Sequence, residues 1–324
     1  MASTKSAAKQ SAAALYTEME NAIMNVIATA NADTICELVI PKVERHLYST
    51  FGMIPRMVYI KKDDEEPKKQ VGVFHEKYEQ VLQLVNLNIP VYLSGRAGTG
   101  KNVLCKQIAE ALGLEFYFTN AVTQEYKLTG FIDANGKYQE TQFYKAFTNG
   151  GLFFLDEMDA SIPEVLIILN AAIANRYFDF PIGKVEAHPD FRVIAAGNTT
   201  GKGANSTYTG RYQLDGASLD RFAEIMIDYD RSIEMSMARG KEELVEFAHA
   251  FRKTAEKSGI ECLCTYRTID RIAQLEDVID ELPEVLEISL LKGMCKDDVS
   301  TLKYNITDEP RMSTNKYAEA LKEL

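Results

Sequence analysis

No run of apolar residues in this 324-residue chain is long enough to cross a membrane. Lys5 and Lys9 lie near the start, but the apolar stretch of a secretory signal peptide does not follow them. We therefore expect a cytoplasmic protein with no membrane partner. The composition, 46% hydrophobic and 26% charged, is typical of a globular protein with a proper core. The length allows one large domain or two to three smaller ones.

Cysteine and histidine are scarce, and neither forms a cluster. The five cysteines lie at positions 36, 105, 262, 264 and 295. Cys262 and Cys264 are separated by one residue, which is not the spacing of a zinc knuckle. The histidines also lack the spacing of metal ligands, so we predict neither a zinc site nor a catalytic triad. The cysteines are typical of small buried hydrophobes in a reducing compartment.

An excess of basic charge is absent as well. The formal net charge is −11, and basic and acidic residues balance over residues 1–70, so the acidic excess belongs to the rest. Nucleic-acid binders usually present a basic face, and this balance weighs against that class. The net charge of the chain does not determine the charge of a ring's pore, so the composition does not exclude a locally basic pore.

The chain divides into three parts by pattern. Residues 1–70 are predicted to form a helical N-terminal region that ends in a charged linker over 61–69. Residues 71–231 alternate short apolar runs with helical stretches, which predicts an α/β domain with a parallel sheet covered on both faces. Residues 232–324 are predicted to be helical again. The expected strands are 91–94, 116–118, 152–155, 193–196 and 225–227.

The strongest local pattern lies between the first of these strands and a helix that starts at Val103. Its glycines allow a tight turn whose N–H groups point at a phosphate, the helix N-terminus adds positive potential, and Lys101 reaches the β- and γ-phosphate oxygens. This is the GxxxxGK pattern of a phosphate-binding loop, here Gly95-Arg96-Ala97-Gly98-Thr99-Gly100-Lys101-Asn102.

Asn102 stands where this pattern normally has Ser or Thr, whose hydroxyl binds Mg²⁺. An amide carbonyl oxygen is also a hard ligand, so Asn102 is a candidate Mg²⁺ ligand. The substitution keeps open a second interpretation, in which the chain binds ATP without hydrolysing it efficiently.

The apolar strand expected at residues 152–155 ends in two carboxylates. Asp156 is a candidate ligand of the Mg²⁺ shell opposite the phosphate loop, and Glu157 is a candidate general base for the attacking water. Two acidic residues after an apolar run also commonly form a helix N-cap on the solvated surface. Their position after a phosphate loop favours the catalytic interpretation.

Four motifs in order resemble the MoxR/dynein-related branch of AAA+ ATPases, and within it the CobS-like ATPase subunits of cobaltochelatase, including phage-carried ones. The resemblance covers about residues 74–275. It rests on the stretches 156–164, 169–172, 188–198 and 219–222. It implies a P-loop NTPase core with a five-stranded parallel sheet, the phosphate loop at the tip of the first strand, and a small all-helical lid.

The resemblance also implies roles for three residues. Asn198, at a strand end, matches the sensor-1 residue that orients the attacking water; a simple turn is the alternative. Arg221 in Leu-Asp-Arg-Phe matches the arginine finger that completes a neighbour's site, with an ion pair to Asp220 or Asp215 as the alternative. Arg267 fits the sensor-2 arginine, acting in cis or in trans.

Two hairpins are predicted in the α/β domain. One turns at Asn135-Gly136 and the other, over residues 177–186, turns at 181–183. Phe131, Ile132 and Tyr138 of the first could grip a substrate or could pack the hairpin onto the core. His75, before the first core helix, lies where such ATPases cover the adenine.

The resemblance implies a ring, most simply a homo-hexamer, that hydrolyses Mg·ATP and remodels a partner protein, such as one with a von Willebrand A domain. A nucleic-acid-associated motor is the first alternative, and it would need basic pore residues such as Lys137 or Lys184. The ATP-binding switch is the second.

Overall fold

The computed structural model describes residues 56–60, 68–204, 207–307 and 312–324. The helical region predicted for residues 1–55 and the linker residues 61–67 lie outside these described residues.

The first described element is an antiparallel hairpin that the sequence pattern did not predict. Strand β1 (Arg56–Ile60) pairs with β2 (Lys68–Gly72), with Arg56 opposite Gly72. The Arg56 guanidinium donates to the carbonyls of Phe74 and His75 at 2.5 and 3.0 Å, which ties the hairpin to the start of the α/β core. The predicted boundary at residue 70 falls inside β2, and the division into domains stays a prediction.

The five expected strands form one parallel sheet, as predicted. Its strands are β3 (Val91–Ser94), β4 (Phe116–Thr119), β7 (Gly151–Leu155), β10 (Phe191–Gly197) and β11 (Ala223–Met226). Their order across the sheet is β11-β3-β10-β7-β4, and all four neighbouring pairs are parallel. Strand β7 is buried along its whole length, as expected for a strand with helices on both faces.

Helices cover both faces of the sheet. Those of the α/β domain are α1 (Tyr78–Asn86), α2 (Lys101–Leu112), α3 (Tyr126–Thr129), α4 (Gln142–Asn149), α5 (Pro163–Asn175) and α6 (Gly216–Leu219). A 3₁₀ turn spans Met158–Ala160. One apolar cluster lies between the sheet and α1 and α2, and a second, rich in phenylalanine, lies between the sheet and α4 and α5.

The C-terminal part is helical, as predicted, and has its own core. It contains α7 (Arg231–Met237), α8 (Glu242–Lys257), α9 (Tyr266–Leu275), α10 (Leu282–Leu286), a π-helical turn (Glu287–Leu291), α11 (Lys296–Thr307) and α12 (Lys316–Glu323). Its apolar cluster is built from the inward faces of these helices, with Phe247, Phe251 and Tyr317 fully buried. We call this part the lid.

Both predicted hairpins are present. Strands β5 (Phe131–Ile132) and β6 (Tyr138–Gln139) pair antiparallel, as do β8 (Tyr177–Phe180) and β9 (Gly183–Glu186). In the first, the Asp133 carboxylate accepts the backbone N–H groups of Asn135 and Lys137, both at 2.9 Å. These bonds, the one from Lys137 first, hold the pKa of Asp133 below its usual value.

Among the described residues, no helix is long and apolar enough to span a membrane. The cytoplasmic location stays a prediction.

Candidate functional site

The loop between β3 and α2 requires glycine at two positions. Gly95 has φ +150°, and a Cβ there would lie 2.0 Å from the Ile227 carbonyl oxygen on the neighbouring strand. Gly98 has φ +74°, and its Cβ would lie 2.7 Å from Cβ of Thr265, at the start of α9 in the lid. The phosphate loop is therefore closely packed between the sheet edge and the lid.

Lys101 begins α2 and is almost fully buried. Its amine donates to the carbonyls of Gly95 and Arg96 at 2.7 and 2.9 Å and to Oδ1 of Asn198 at 3.3 Å. Burial lowers the pKa of Lys101 to about 8, and the nearby Asp156 carboxylate opposes that shift. A phosphate at this position would supply the opposite charge that the buried ammonium favours.

The loop, the strand ends and the lid enclose a cleft of about 360 Å³. Every residue from Ala97 to Leu104 lines it, which includes Asn102 and Val103. The remaining walls are Val73, His75 and Gln107 at one end, Asp156, Glu157 and Asn198 at the strand ends, and Ile233, Ser236, Met237, Tyr266, Arg267 and Asp270 from the lid. The predicted binding residues thus meet in one cleft, except Gly95 and Arg96, which form the outer side of the loop.

Asp156 follows β7 and faces the cleft. Its Oδ1 accepts the Glu157 backbone N–H at 2.9 Å, and burial raises the pKa of this carboxyl above its usual value. Asn102 lines the same cleft from the first turn of α2. A carboxylate and an amide are oxygen donors of the kind Mg²⁺ prefers, and a magnesium–nucleotide site needs only one or two protein carboxylates beside the phosphates. The residues present therefore fit Mg²⁺.

Glu157 has a left-handed backbone, φ +52°, which is uncommon for a residue other than glycine. Its Oε1 lies 3.2 Å from Nη2 of Arg211. Arg211 is largely buried, with a side chain 12% exposed, and its Nη1 lies 3.7 Å from Oδ1 of Asp159. The sequence analysis did not identify Arg211, because its partner lies 54 positions earlier in the chain.

Asp159 is a second residue that the sequence analysis did not assign. It is fully buried, and its Oδ2 accepts the backbone N–H groups of Asn198 and Thr199 and the Thr199 hydroxyl, at 2.9 to 3.0 Å. Asp159 therefore fixes the end of β10 against the turn that follows β7. Gly197 allows this contact, since a Cβ there would lie 3.0 Å from Cγ of Asp159.

Asn198 follows β10 and contacts the phosphate-loop lysine across the cleft. Its side-chain oxygen accepts from Lys101, and its backbone N–H donates to Asp159. The residue is thus joined both to the loop and to the 3₁₀ turn that follows Glu157.

The two predicted arginines lie in different places. Arg267, in the first turn of α9, is exposed and lines the cleft from the lid. Arg221 is exposed just after α6, outside the cleft lining, and donates to the Ala217 carbonyl. In the described part of the chain Arg221 forms no ion pair with Asp220 or Asp215; Asp215 instead caps α6 through the Ala217 N–H.

His75 is buried rather than a surface residue, with 3% of it exposed. Its Nε2 lies 2.8 Å from the Asp228 carbonyl oxygen, and its Nδ1 accepts the Lys77 N–H at 3.1 Å. Because a carbonyl can only accept, the ring proton is on Nε2. The ring is fixed at the end of the cleft beside Val73.

A parallel α/β core with a phosphate loop, an acidic strand end and a helical lid is the architecture of a P-loop NTPase fold. Residues 90–211 match the family described as the AAA domain of the dynein-related subfamily. Over these residues the chain is similar to that family of AAA+ domains.

Several proteins are similar to part of the chain. An uncharacterised protein of Staphylococcus haemolyticus is 30% identical over 165 residues, 47% of this chain and 60% of its own length. The chain thus spans 60% of that relative. Gas vesicle ATPase GvpN of Ancylobacter aquaticus is 24% identical over 246 residues, 64% of this chain and 67% of its own length. Among solved structures, NtrX from Brucella abortus in complex with ADP aligns with a TM-score of 0.45 and 16% identity, covering 76% of this chain and 66% of its own.

Proposed function

We propose that this chain hydrolyses Mg·ATP in a ring of identical subunits and uses the free energy to remodel a partner protein. The observation that supports it best is the meeting of Lys101, Asp156, Glu157 and Asn198 at one end of a single cleft. These are an ammonium, a metal-binding carboxylate, a second carboxylate and an amide, which are the groups that phosphoryl transfer to water needs.

We propose one orientation of the nucleotide in the cleft. The triphosphate lies on the N–H groups of the loop and near Lys101, while the adenine lies at the end formed by Val73, His75 and Met237. Arg267 reaches the phosphates from the lid, so closure of the lid and binding of ATP are linked. Asp156 and Asn102 would hold Mg²⁺, which would supply charge neutralisation for the phosphates.

Hydrolysis follows from these positions. Glu157 takes a proton from water while the water oxygen forms a bond to Pγ. The bond from Pγ to the bridging oxygen breaks, and its electron pair leaves on the β-phosphate of ADP. Asn198 orients the water, and Arg221 of an adjacent subunit stabilises the negative charge of the transition state.

The partner is proposed to be a protein because of the first hairpin. Phe131 and Ile132 on β5 are 47% and 50% exposed, whereas Tyr138 is half-buried and donates to the Thr129 carbonyl. Two adjacent exposed apolar side chains fit a protein segment better than a phosphate backbone. A hexameric ring, a CobS-like role and a von Willebrand A partner are the finer parts of this proposal.

The deciding experiment is steady-state ATP hydrolysis at several protein concentrations for the wild type, Glu157→Gln and Arg221→Ala. We expect turnover per subunit to rise with concentration and to fall at least about a hundredfold in both variants. Turnover that is independent of concentration and unchanged in Arg221→Ala would contradict the shared site. A protein client should stimulate turnover, whereas stimulation by DNA would favour the nucleic-acid motor.

Asn102 and the Glu157–Arg211 ion pair favour one second candidate, an ATP-binding switch. In that case the chain would bind Mg·ATP tightly without turnover, and Glu157→Gln would be indistinguishable from the wild type.

A further inference from the structure

Residues 207–214, which we call the strap, run from the outer side of the phosphate loop to the candidate base. The Tyr208 hydroxyl accepts the Ala97 backbone N–H at 2.9 Å. Arg211 pairs with Glu157, and the Tyr212 N–H donates to the Asp159 carbonyl at 2.7 Å. One short segment is therefore bonded both to the loop that would bind phosphate and to the turn that presents the base.

The ion pair matters because of what Glu157 has to do. A general base needs an oxygen that is open to the attacking water. In this structure Oε1 of Glu157 instead faces the Arg211 guanidinium, which is mostly screened from solvent by burial. The backbone of Glu157 is also left-handed, which is an uncommon conformation for a residue other than glycine.

We propose that Arg211 is a positioning residue that restrains Glu157, and that binding of nucleotide phosphates releases the carboxylate by displacing the strap. This inference rests on the proposed ATP hydrolysis and deepens it. Ala97 lines the cleft, and its N–H is among the loop donors that a phosphate would attract. A phosphate that takes this N–H breaks the bond between Tyr208 and the loop. The Arg211 part of the strap is then held less firmly and separates from Glu157, while the Tyr212 N–H stays on the Asp159 carbonyl.

The first test compares ATP hydrolysis by the full chain carrying Arg211→Gln or Arg211→Lys with the wild type. We expect Arg211→Gln to lower KM for ATP about threefold or more and to leave kcat within about twofold, because binding no longer has to break the Glu157–Arg211 pair, which is already broken in the wild-type complex. Arg211→Lys should stay near the wild type, since it keeps the charge. A KM that is unchanged or higher in Arg211→Gln would overturn the restraint.

The control for a general loss of packing is Arg192→Gln. Arg192 is also partly buried, and it donates to the carbonyls of Val85 and Pro189 at 3.0 and 2.7 Å, away from the cleft. We expect no change in its KM for ATP. If Arg192→Gln lowered KM as much as Arg211→Gln, the effect would be a non-specific loosening and the inference would be wrong.

The second test does not depend on turnover. Thermal unfolding of the wild type, Arg211→Gln, Glu157→Gln and the double variant forms a double-mutant cycle, measured with and without a non-hydrolysable ATP analogue and Mg²⁺. We expect coupling between the two residues in the free protein and its loss with the analogue. Equal coupling in both conditions would overturn the release step. If all variants bind the analogue but none hydrolyses ATP, the proposed hydrolysis is wrong. The double-mutant cycle then still tests whether Arg211 restrains Glu157.

Discussion

Lys101 is the residue whose charge the fold controls most directly. Burial lowers its pKa to about 8, so the free protein loses this charge as the pH rises through about 8, whereas an exposed lysine keeps it to about 10.4. Bound phosphate favours the charged form and raises the pKa again. Binding therefore takes up a proton above pH 8 and none well below it.

We expect the affinity for ADP to be constant below about pH 8 and to weaken by up to about tenfold per pH unit above it. Titration with a fluorescent ADP analogue between about pH 6.5 and 9.5 measures this profile. Lys101→Met should bind weakly at every pH and show no break. Lys106→Met, an exposed lysine on the same helix, should keep the break. A flat wild-type profile would show that Lys101 stays charged throughout.

The predicted site residues differ from the missed ones in the range of their interactions. Lys101, Asp156, Glu157 and Asn198 each belong to a local pattern at the end of a strand, and parallel strands bring such ends to one edge. Arg211 lies in a loop without a recognisable pattern of its own. Its role depends on a partner 54 positions away, so only the folded chain identifies it.

Among the secondary-structure elements, the five sheet strands were predictable because each is a short apolar run between turn residues. The β1–β2 hairpin was not predictable in the same way. Strand β2 is Lys-Lys-Gln-Val-Gly, a largely polar sequence that predicts a solvent-exposed loop. It forms a strand because its backbone pairs with β1, although its side chains do not favour one. The two short hairpins were predicted from their turn residues rather than from their strands.

The lid depends on a buried ion pair between two of its helices. Glu234 of α7 is fully buried, and its Oε1 accepts from Arg252 of α8 at 2.5 Å, while its other oxygen contacts His249. Arg252 also lies 3.8 Å over the ring of Tyr229, whose hydroxyl donates to the Ala97 carbonyl. The ion pair therefore supports both the lid core and its contact with the phosphate loop.

We expect Glu234→Gln to destabilise the protein by about 3 kcal/mol or more, because it leaves the Arg252 charge buried without its partner. Unfolding in urea measures the loss. Glu242→Gln is the matched control, since its pair with Arg231 has side chains 59% and 46% exposed and should contribute less than about 1 kcal/mol. Similar small losses in both variants would mean that water reaches the Glu234 pair.

At the scale of the whole molecule, the strap connects the candidate base to the surface that would meet a neighbour. Its last residue, Leu214, donates its N–H to the Gly201 carbonyl at 2.8 Å, and Asp215 then caps α6, which leads to Arg221. A subunit that engages Arg221 would thus act on the same segment that contacts Glu157. The ring proposal and the restraint of Glu157 are therefore linked through one stretch of chain.

Mixing two inactive variants tests the shared site. In the proposed ring, a site needs Glu157 from one subunit and Arg221 from its neighbour, so Glu157→Gln and Arg221→Ala subunits complement each other only where they adjoin in one order. In rings mixed at equal amounts, about one site in four contains both intact residues, and we expect activity near that fraction of the wild type. Steady-state hydrolysis after co-assembly measures it, with each variant alone as the control. If the mixture stays as inactive as its parts although the subunits exchange, Arg221 serves its own subunit, and the finger in trans is wrong.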